Sequence, residues 1–332
     1  MNGENVAWFC TYTPLEILDA AGLVPVRHFG DPESLESADT FLHPAICPYV
    51  RACLAAGMAG GAHHHHAVFV NSCDGMRRLY DAWKDHFRDD FVYLLDLPRN
   101  KGDMGTRLLV EEYRRLVREL ADSWGREITA EGLREGARKR EERRLDYLRA
   151  AEGTCGTTRL RLAMESHSLP LDDALPHISD AGGPAGVPIL LTGNLLNPAG
   201  LVSSLERAGA RVAWTDLCNG DRAFASPTVP QGDDLDDLLN SLAVRYLDRR
   251  PCARMADSER RYELLVDTAN AVGAHGVIYA SLKFCDSYLY EFPRVQERLK
   301  REGIPLLRLE SDYADGHVGQ LLTRVEAFLE ML

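Results

Sequence analysis

The chain has 332 residues, more than one hydrophobic core usually organises, and its 45% apolar and 27% charged residues suit a folded two-domain protein rather than a disordered one. A formal net charge of −12 disfavours sequence-independent nucleic-acid binding, and no stretch approaches the ~20 consecutive apolar residues of a membrane span. The first ten residues lack the basic and apolar regions of a secretory signal, so the protein is expected in the cytoplasm.

In chain order, short apolar runs alternate with longer helical patterns in two blocks, the sign of parallel α/β architecture. In the first block strands are predicted over 23–27, 67–71 and 91–95, and helices over 14–21, 44–58, 74–87, 103–124 and 129–150. The last of these helices opens with Thr129-Ala-Glu-Gly and is dense in Arg, Lys and Glu. It reads as an anion-binding face or, more simply, as a solvated helix laced with ion pairs one turn apart. The run Asp180-Ala-Gly-Gly-Pro-Ala-Gly-Val-Pro188 marks a crossing, dividing the chain into domains of 1–185 and 186–332. The second block has strands predicted over 187–192, 211–217, 276–282 and 305–309, and helices over 198–208, 235–246, 258–272, 288–301 and 316–332. His63 to His66 form either a metal-binding tract or an exposed loop. Thr192-Gly193-Asn194 is a weak phosphate-cradle candidate, since the full glycine fingerprint is missing.

The cysteines are Cys10, Cys47, Cys53, Cys73, Cys155, Cys218, Cys252 and Cys285. In a reducing compartment metal binding, catalysis or plain burial explains them better than disulfides. Cys73, Cys218 and Cys285 each fall just past the carboxyl end of a predicted strand, where open parallel sheets bind ligands. Cys73 and Cys285 are each followed by Asp and a helical pattern, so the helix dipole favours their thiolates. None lies in a C-x-x-C pair, and thiolate ligation from dispersed positions suits an iron–sulfur cluster held between the two domains.

Several motifs carry a family resemblance. Trp8-Phe9-Cys10-Thr11-Tyr12-Thr13-Pro14-Leu15-Glu16, Cys47-Pro48-Tyr49-Val50-Arg51, Asn71-Ser72-Cys73-Asp74-Gly75-Met76, Asp216-Leu217-Cys218-Asn219-Gly220-Asp221-Arg222, Pro251-Cys252 and Leu282-Lys283-Phe284-Cys285-Asp286 run in order along the chain. This series resembles the 2-hydroxyacyl-CoA dehydratase and benzoyl-CoA reductase superfamily. With cysteines in six motifs, the chain looks most like the double-cubane cluster branch. The resemblance implies two Rossmann-like (flavodoxin-like) parallel-sheet domains around an interdomain cluster cleft. It also implies Cys10, Cys47, Cys73, Cys218, Cys252 and Cys285 as ligands of a double-cubane 8Fe-9S cluster, or alternatively of a single 4Fe-4S cluster.

By the same resemblance, the chain is expected to be a low-potential iron–sulfur reductase. It would take electrons from an ATP-hydrolysing activator protein, act on a small-molecule substrate and form a homodimer. The alternatives are a dehydratase subunit with one cubane, which would need a similar partner subunit, or an electron carrier without a substrate of its own. Glu291 is the first choice of proton donor and Lys283 a second catalytic candidate. Asp74, Asp216, Asp286, Arg222 and His43 could tune the site, the aspartates equally well being helix N-caps. Cys53 and Cys155 fall outside the motifs.

Overall fold

The computed structural model describes residues 3–60, 65–176, 178, 185–196, 198–227, 229–313 and 318–332. His63, His64 and the glycine-rich part of the crossing, 180–184, lie outside them. The first half folds around β1 (Asn5–Trp8), β2 (Val24–Arg27), β3 (Ala67–Val70) and β4 (Val92–Leu95), and the second around β5 (Val187–Gly193), β6 (Ala210–Asp216), β7 (Gly276–Leu282) and β8 (Leu306–Ser311). Both sheets are wholly parallel and share one order, β2-β1-β3-β4 and β6-β5-β7-β8. Strands β3 and β7 are buried along their whole length, which is why they read as nearly continuous apolar runs, with Ser281 the one polar residue.

The helices are α1 (Leu15–Ala20), α2 (Pro48–Met58), α3 (Asp74–His86), α4 (Asp103–Trp124), α5 (Ala130–Ala151), α6 (Gly156–Ser168), α7 (Ser203–Arg207), α8 (Leu235–Asp248), α9 (Ser258–Ala271), α10 (Asp286–Arg301) and α11 (Val318–Glu330). Two elements carry no clear signal in the sequence. The four residues of β1 are too short a run to stand out, and α6 opens with Gly-Thr-Thr, poor helix formers. The sulfur of Cys155 caps α6 by accepting from the Thr158 N–H at 3.4 Å. The helix expected over 198–208 is a π turn at Pro198–Val202 followed by the short α7.

The charged helix α5 corrects the picture of a fully solvated face. Arg138 pairs with Glu135 and Glu142, and Arg144 and Arg149 pair within the same helix. Arg140 and Arg143, however, are buried, at 8% and 5% exposure. The Arg140 fork grips both oxygens of Asp19 on α1, at 2.6 and 2.7 Å, and so fixes α5 against the first sheet's helix layer.

The two halves are interlocked, because each lends a helix to the other. Leu160 of α6 is buried with Ile189 and Val212 of the second sheet, and a side chain at Gly156 would come within 2.4 Å of Val212. In return, Leu238, Leu239, Leu242 and Tyr246 of α8 join the first core beside Leu109, Tyr113 and Leu116 of α4. Full burial of one such leucine is worth ~1.5–3 kcal/mol. The Tyr246 hydroxyl lies 2.8 Å from both the Thr13 carbonyl and the Glu16 carboxylate, sharing its one proton between them and tying α8 to α1.

Near its end α6 carries His167, whose ring lies edge-on to Trp8 of β1 and stacks on Phe224 from the second half. Its Nδ1 lies 3.2 Å from the Arg27 guanidinium of β2. Burial holds its pKa well below the ordinary histidine value, and the guanidinium groups of Arg27, Arg249 and Arg140 push it further down. A base whose folded pKa is depressed stabilises the fold fully above the unfolded value and progressively less below it. Lowering the pH from 7.5 to 5.5 is therefore expected to cost the native protein about 1.4 kcal/mol more than a His167→Gln variant. Denaturant melts at the two pH values check this, and equal losses in both proteins would refute it.

Candidate functional site

The carboxyl ends of both sheets face a common seam. Cys10 follows β1 and Cys218 follows β6, each by two residues, while Cys73 follows β3 and Cys285 follows β7, each by three. With β1 in place, Cys10 joins the strand-end set that sequence pattern limited to three. Cys47 and Cys252 arrive differently, at the start of α2 and in the loop between α8 and α9.

Three of these six cysteines are helix N-caps: Cys47 of α2, Cys73 of α3 and Cys285 of α10. The Met76 N–H donates to the Cys73 sulfur at 3.4 Å. At Gly75 an added Cβ would sit 3.7 Å from Cβ of Cys47 and 3.8 Å from the sulfur of Cys73, so these two cysteines close on one spot. Helix N-termini stabilise negative sulfur through their free N–H groups and the dipole.

The electrostatic neighbours divide the six into two sets. Burial raises the proton affinity of Cys47, and Cys285 and Cys73 raise it further. Burial likewise pushes Cys10 up to about 12, with Cys252 and Cys218 adding to the rise. Cys252 is raised by burial and by Cys218. The sets are joined where Cys73 feels Cys252 and where Cys285, pushed up to about 12 mainly by burial, feels both Cys73 and Cys218. Each set draws cysteines from both halves of the chain. Among the described residues no three His, Cys, Asp or Glu side chains converge as tightly as a single metal ion requires.

The second set, Cys10, Cys218 and Cys252, is lined by arginine. Arg222, 6% exposed, donates to the Cys218 sulfur at 3.0 Å, to the Gly193 carbonyl at 2.9 Å and to the Tyr288 hydroxyl at 2.8 Å. Its other arm reaches Asp216, whose Oδ2 also takes Arg261 at 3.2 Å and the Thr192 hydroxyl at 2.8 Å. Burial alone would raise the Asp216 carboxyl, but Arg222, Arg261 and Arg250 overcome it and hold the pKa at about 2. Arg254 bonds the carbonyls of Asn71 and Pro98, stapling the Cys252 loop to the first sheet.

Glu291 lies in this network, buried, with Oε1 taking Arg261 at 2.6 Å and Oε2 the Tyr279 hydroxyl at 3.0 Å. Lys283 is half-buried at the seam's rim and pairs with Asp312 at 3.0 Å. Next to it Phe284 has φ of 57° and is 48% exposed. Asp74 and Asp286 are exposed in the first turns of α3 and α10, one residue past their capping cysteines, and His43 is exposed before α2.

The Thr192–Asn194 turn serves the cysteines. A side chain at Gly193 would strike the Ala280 carbonyl at 1.8 Å, so glycine lets β5 end against β7. The Asn194 carbonyl takes the Cys218 N–H at 2.8 Å, and its side chain bonds the Cys285 thiol. Cys53 is buried in the first core and Cys155 caps α6, so neither joins the array. His65 stacks on Phe87, and His66 accepts from the Phe91 N–H at 3.0 Å.

Comparison with known proteins matches the sequence to relatives along nearly its whole length. YjiM of Escherichia coli strain K12, named for a dehydratase subunit, is 27% identical over 360 residues, covering 98% of this chain and 91% of that protein. The (R)-phenyllactyl-CoA dehydratase beta subunit of Clostridium sporogenes is 24% identical, covering 97% and 90%. A benzoyl-CoA reductase subunit of Thauera aromatica is 25% identical, covering 98% and 90%. The family model described as 2-hydroxyglutaryl-CoA dehydratase, D-component, matches residues 10–332, starting at the first cysteine of the array. The chain belongs to that family.

Proposed function

We propose that Cys10, Cys47, Cys73, Cys218, Cys252 and Cys285 hold a double-cubane 8Fe-9S cluster, and that the protein is a low-potential reductase of a small substrate. In this reading it works in the cytoplasm as a homodimer and is charged by an ATP-hydrolysing activator protein. The observation that carries the reading is the arrival of four of the six thiols just past the carboxyl ends of strands from both sheets, with Cys47 and Cys73 closing on one spot at Gly75. The donors fit the group, since they are thiols spread along a seam, with helix N–H groups on one set and guanidinium on the other. When bound, such a group supplies one-electron chemistry at low potential.

The chain's own contribution is electrostatic. At the arginine-lined set, Arg222 donates to the Cys218 sulfur and is itself held by Asp216, so positive charge stands ready where negative charge accumulates. Glu291 bonds Arg261 and Tyr279 rather than any array sulfur among the described residues, which makes it a positioning residue in this scheme. Lys283, at the accessible rim two residues from Cys285, is the proton donor we assign to a bound substrate.

A second reading, a single-cubane dehydratase subunit, draws support from relatives that are named as subunits of dehydratases. Anaerobic purification separates the two. About eight irons and about nine sulfides per chain are expected for the double cubane, about four irons would favour the dehydratase subunit, and none would sink both.

Replacing any one of the six array cysteines with serine is expected to remove about half of the bound iron or more, whereas Cys53→Ala should leave it unchanged. Iron analysis of the purified variants decides. Removing the guanidinium in Arg222→Gln should make the reduction potential more negative, by on the order of tens of millivolts. Redox titration followed by electron paramagnetic resonance measures this, and an unchanged or higher potential would contradict the assigned role.

A further inference from the structure

A cavity lies beside the end of β1, and no cysteine is among the described residues that line it. Its wall carries Arg140, Arg143, Arg144, Arg245 and Arg249, together with Ser166 and His167 of α6. Glu16 is the one carboxylate among the described lining residues. The buried arginines of α5 point here.

The charges do not balance. Arg140 is matched by Asp19, Arg144 by Glu141 and Arg245 by Glu16. Arg143 and Arg249 bond only carbonyl oxygens among the described residues: Pro170, Leu171 and Asp173 for the first, Thr11 and Ala223 for the second. Behind His167, Arg27 bonds only the Cys218 carbonyl and the His167 ring among the described residues, with two of its nitrogens unpartnered. Arg143, which feels Asp146 and Asp173 without bonding their carboxylates, the half-buried Arg249, and Arg27, whose guanidinium lies over the Trp8 and Phe29 rings, thus make no carboxylate ion pair among the described residues. Holding positive charge away from water is costly, so an anion in the cavity would find attractive charge already in place.

The wall also offers free hydrogen-bonding atoms. Arg143 is 5% exposed and its Nη1 has no partner among the described residues, and Ser166 is 2% exposed with an unpartnered hydroxyl. Nε of Arg245 is buried and unpartnered as well. The cavity volume is about 70 Å³. At the ~10–15 Å³ that one water needs on this measure, it has room for a tetrahedral oxyanion but not for a nucleotide. Planar guanidinium forks and a hydroxyl around such a volume match a phosphate better than a single carboxylate, and the excess charge favours a dianion.

We propose that this cavity binds a phosphate-type dianion, either free orthophosphate or the phosphoryl group of a monoester whose remainder lies outside. Thr11 in the wall adjoins Cys10, and Arg27 joins the wall to the Cys218 carbonyl, so the anion sits directly behind the array.

Calorimetric titration of the full-length protein with orthophosphate, glycerol 3-phosphate and acetate tests the assignment. Tighter binding of orthophosphate identifies the free anion, and tighter binding of glycerol 3-phosphate identifies a monoester. Arg249→Met should weaken the preferred ligand about tenfold or more, and Ser166→Ala, which removes only a hydroxyl, about threefold. Binding of neither phosphate at millimolar concentration, acetate binding as tightly as phosphate, or unchanged affinity in well-folded Ser166→Ala would each overturn the proposal. Because the cavity is walled by arginine and not by the array cysteines, the titration reads alike in iron-loaded and iron-free protein, and its failure leaves the cluster reading untouched.

Discussion

Six thiols gathered along one seam, five of them half-buried and Cys73 exposed, repel each other as soon as they ionise, and the surrounding architecture is arranged around that repulsion. Two parallel sheets of the same strand order turn their carboxyl ends to the seam, which delivers four of the sulfurs. The start of α2 and the loop after α8 deliver the other two. Positive potential then comes in two forms: fixed backbone N–H groups where Cys47, Cys73 and Cys285 cap helices, and the Arg222 and Arg261 guanidinium groups on the other side. The first form has no ionisable partner of its own, while the second needs Asp216 and Glu291 to keep buried arginines in place.

The general fold was legible because period and punctuation agree over most of the chain. Strands such as Gly276–Leu282 are nearly continuous apolar runs, and α4 places Leu109, Tyr113, Leu116 and Leu120 on one buried face. What escaped was decided by tertiary contact. The strand at Asn5–Trp8 is defined by pairing on both sides with β2 and β3, and α6 by burial against Val212 and Trp8 rather than by its own propensity. The same holds for the inward turn of Arg140 and Arg143, since nothing in a run of Arg and Glu says which arginine faces Asp19.

Within the site, strand-end position singled out Cys73, Cys218 and Cys285 without reference to any family. Cys10, Cys47 and Cys252 entered only by resemblance, because β1 is too short to signal itself and a helix N-cap and a Pro-Cys loop carry no pattern that separates them from Cys53 or Cys155. The engagement of Glu291 was equally invisible: its two partners, Arg261 and Tyr279, lie on different elements and meet it only in the folded chain.

The exchange of α6 and α8 reaches beyond the site. Each half keeps its core closed with a helix that the other half's sequence supplies, so neither is a free-standing module that recombination could lift out intact. The connecting segments on either side of those helices thereby lose their importance as covalent links. Once folded, the two lobes are held together by interleaved packing, and a protease that nicks one connector would leave a particle of unchanged shape.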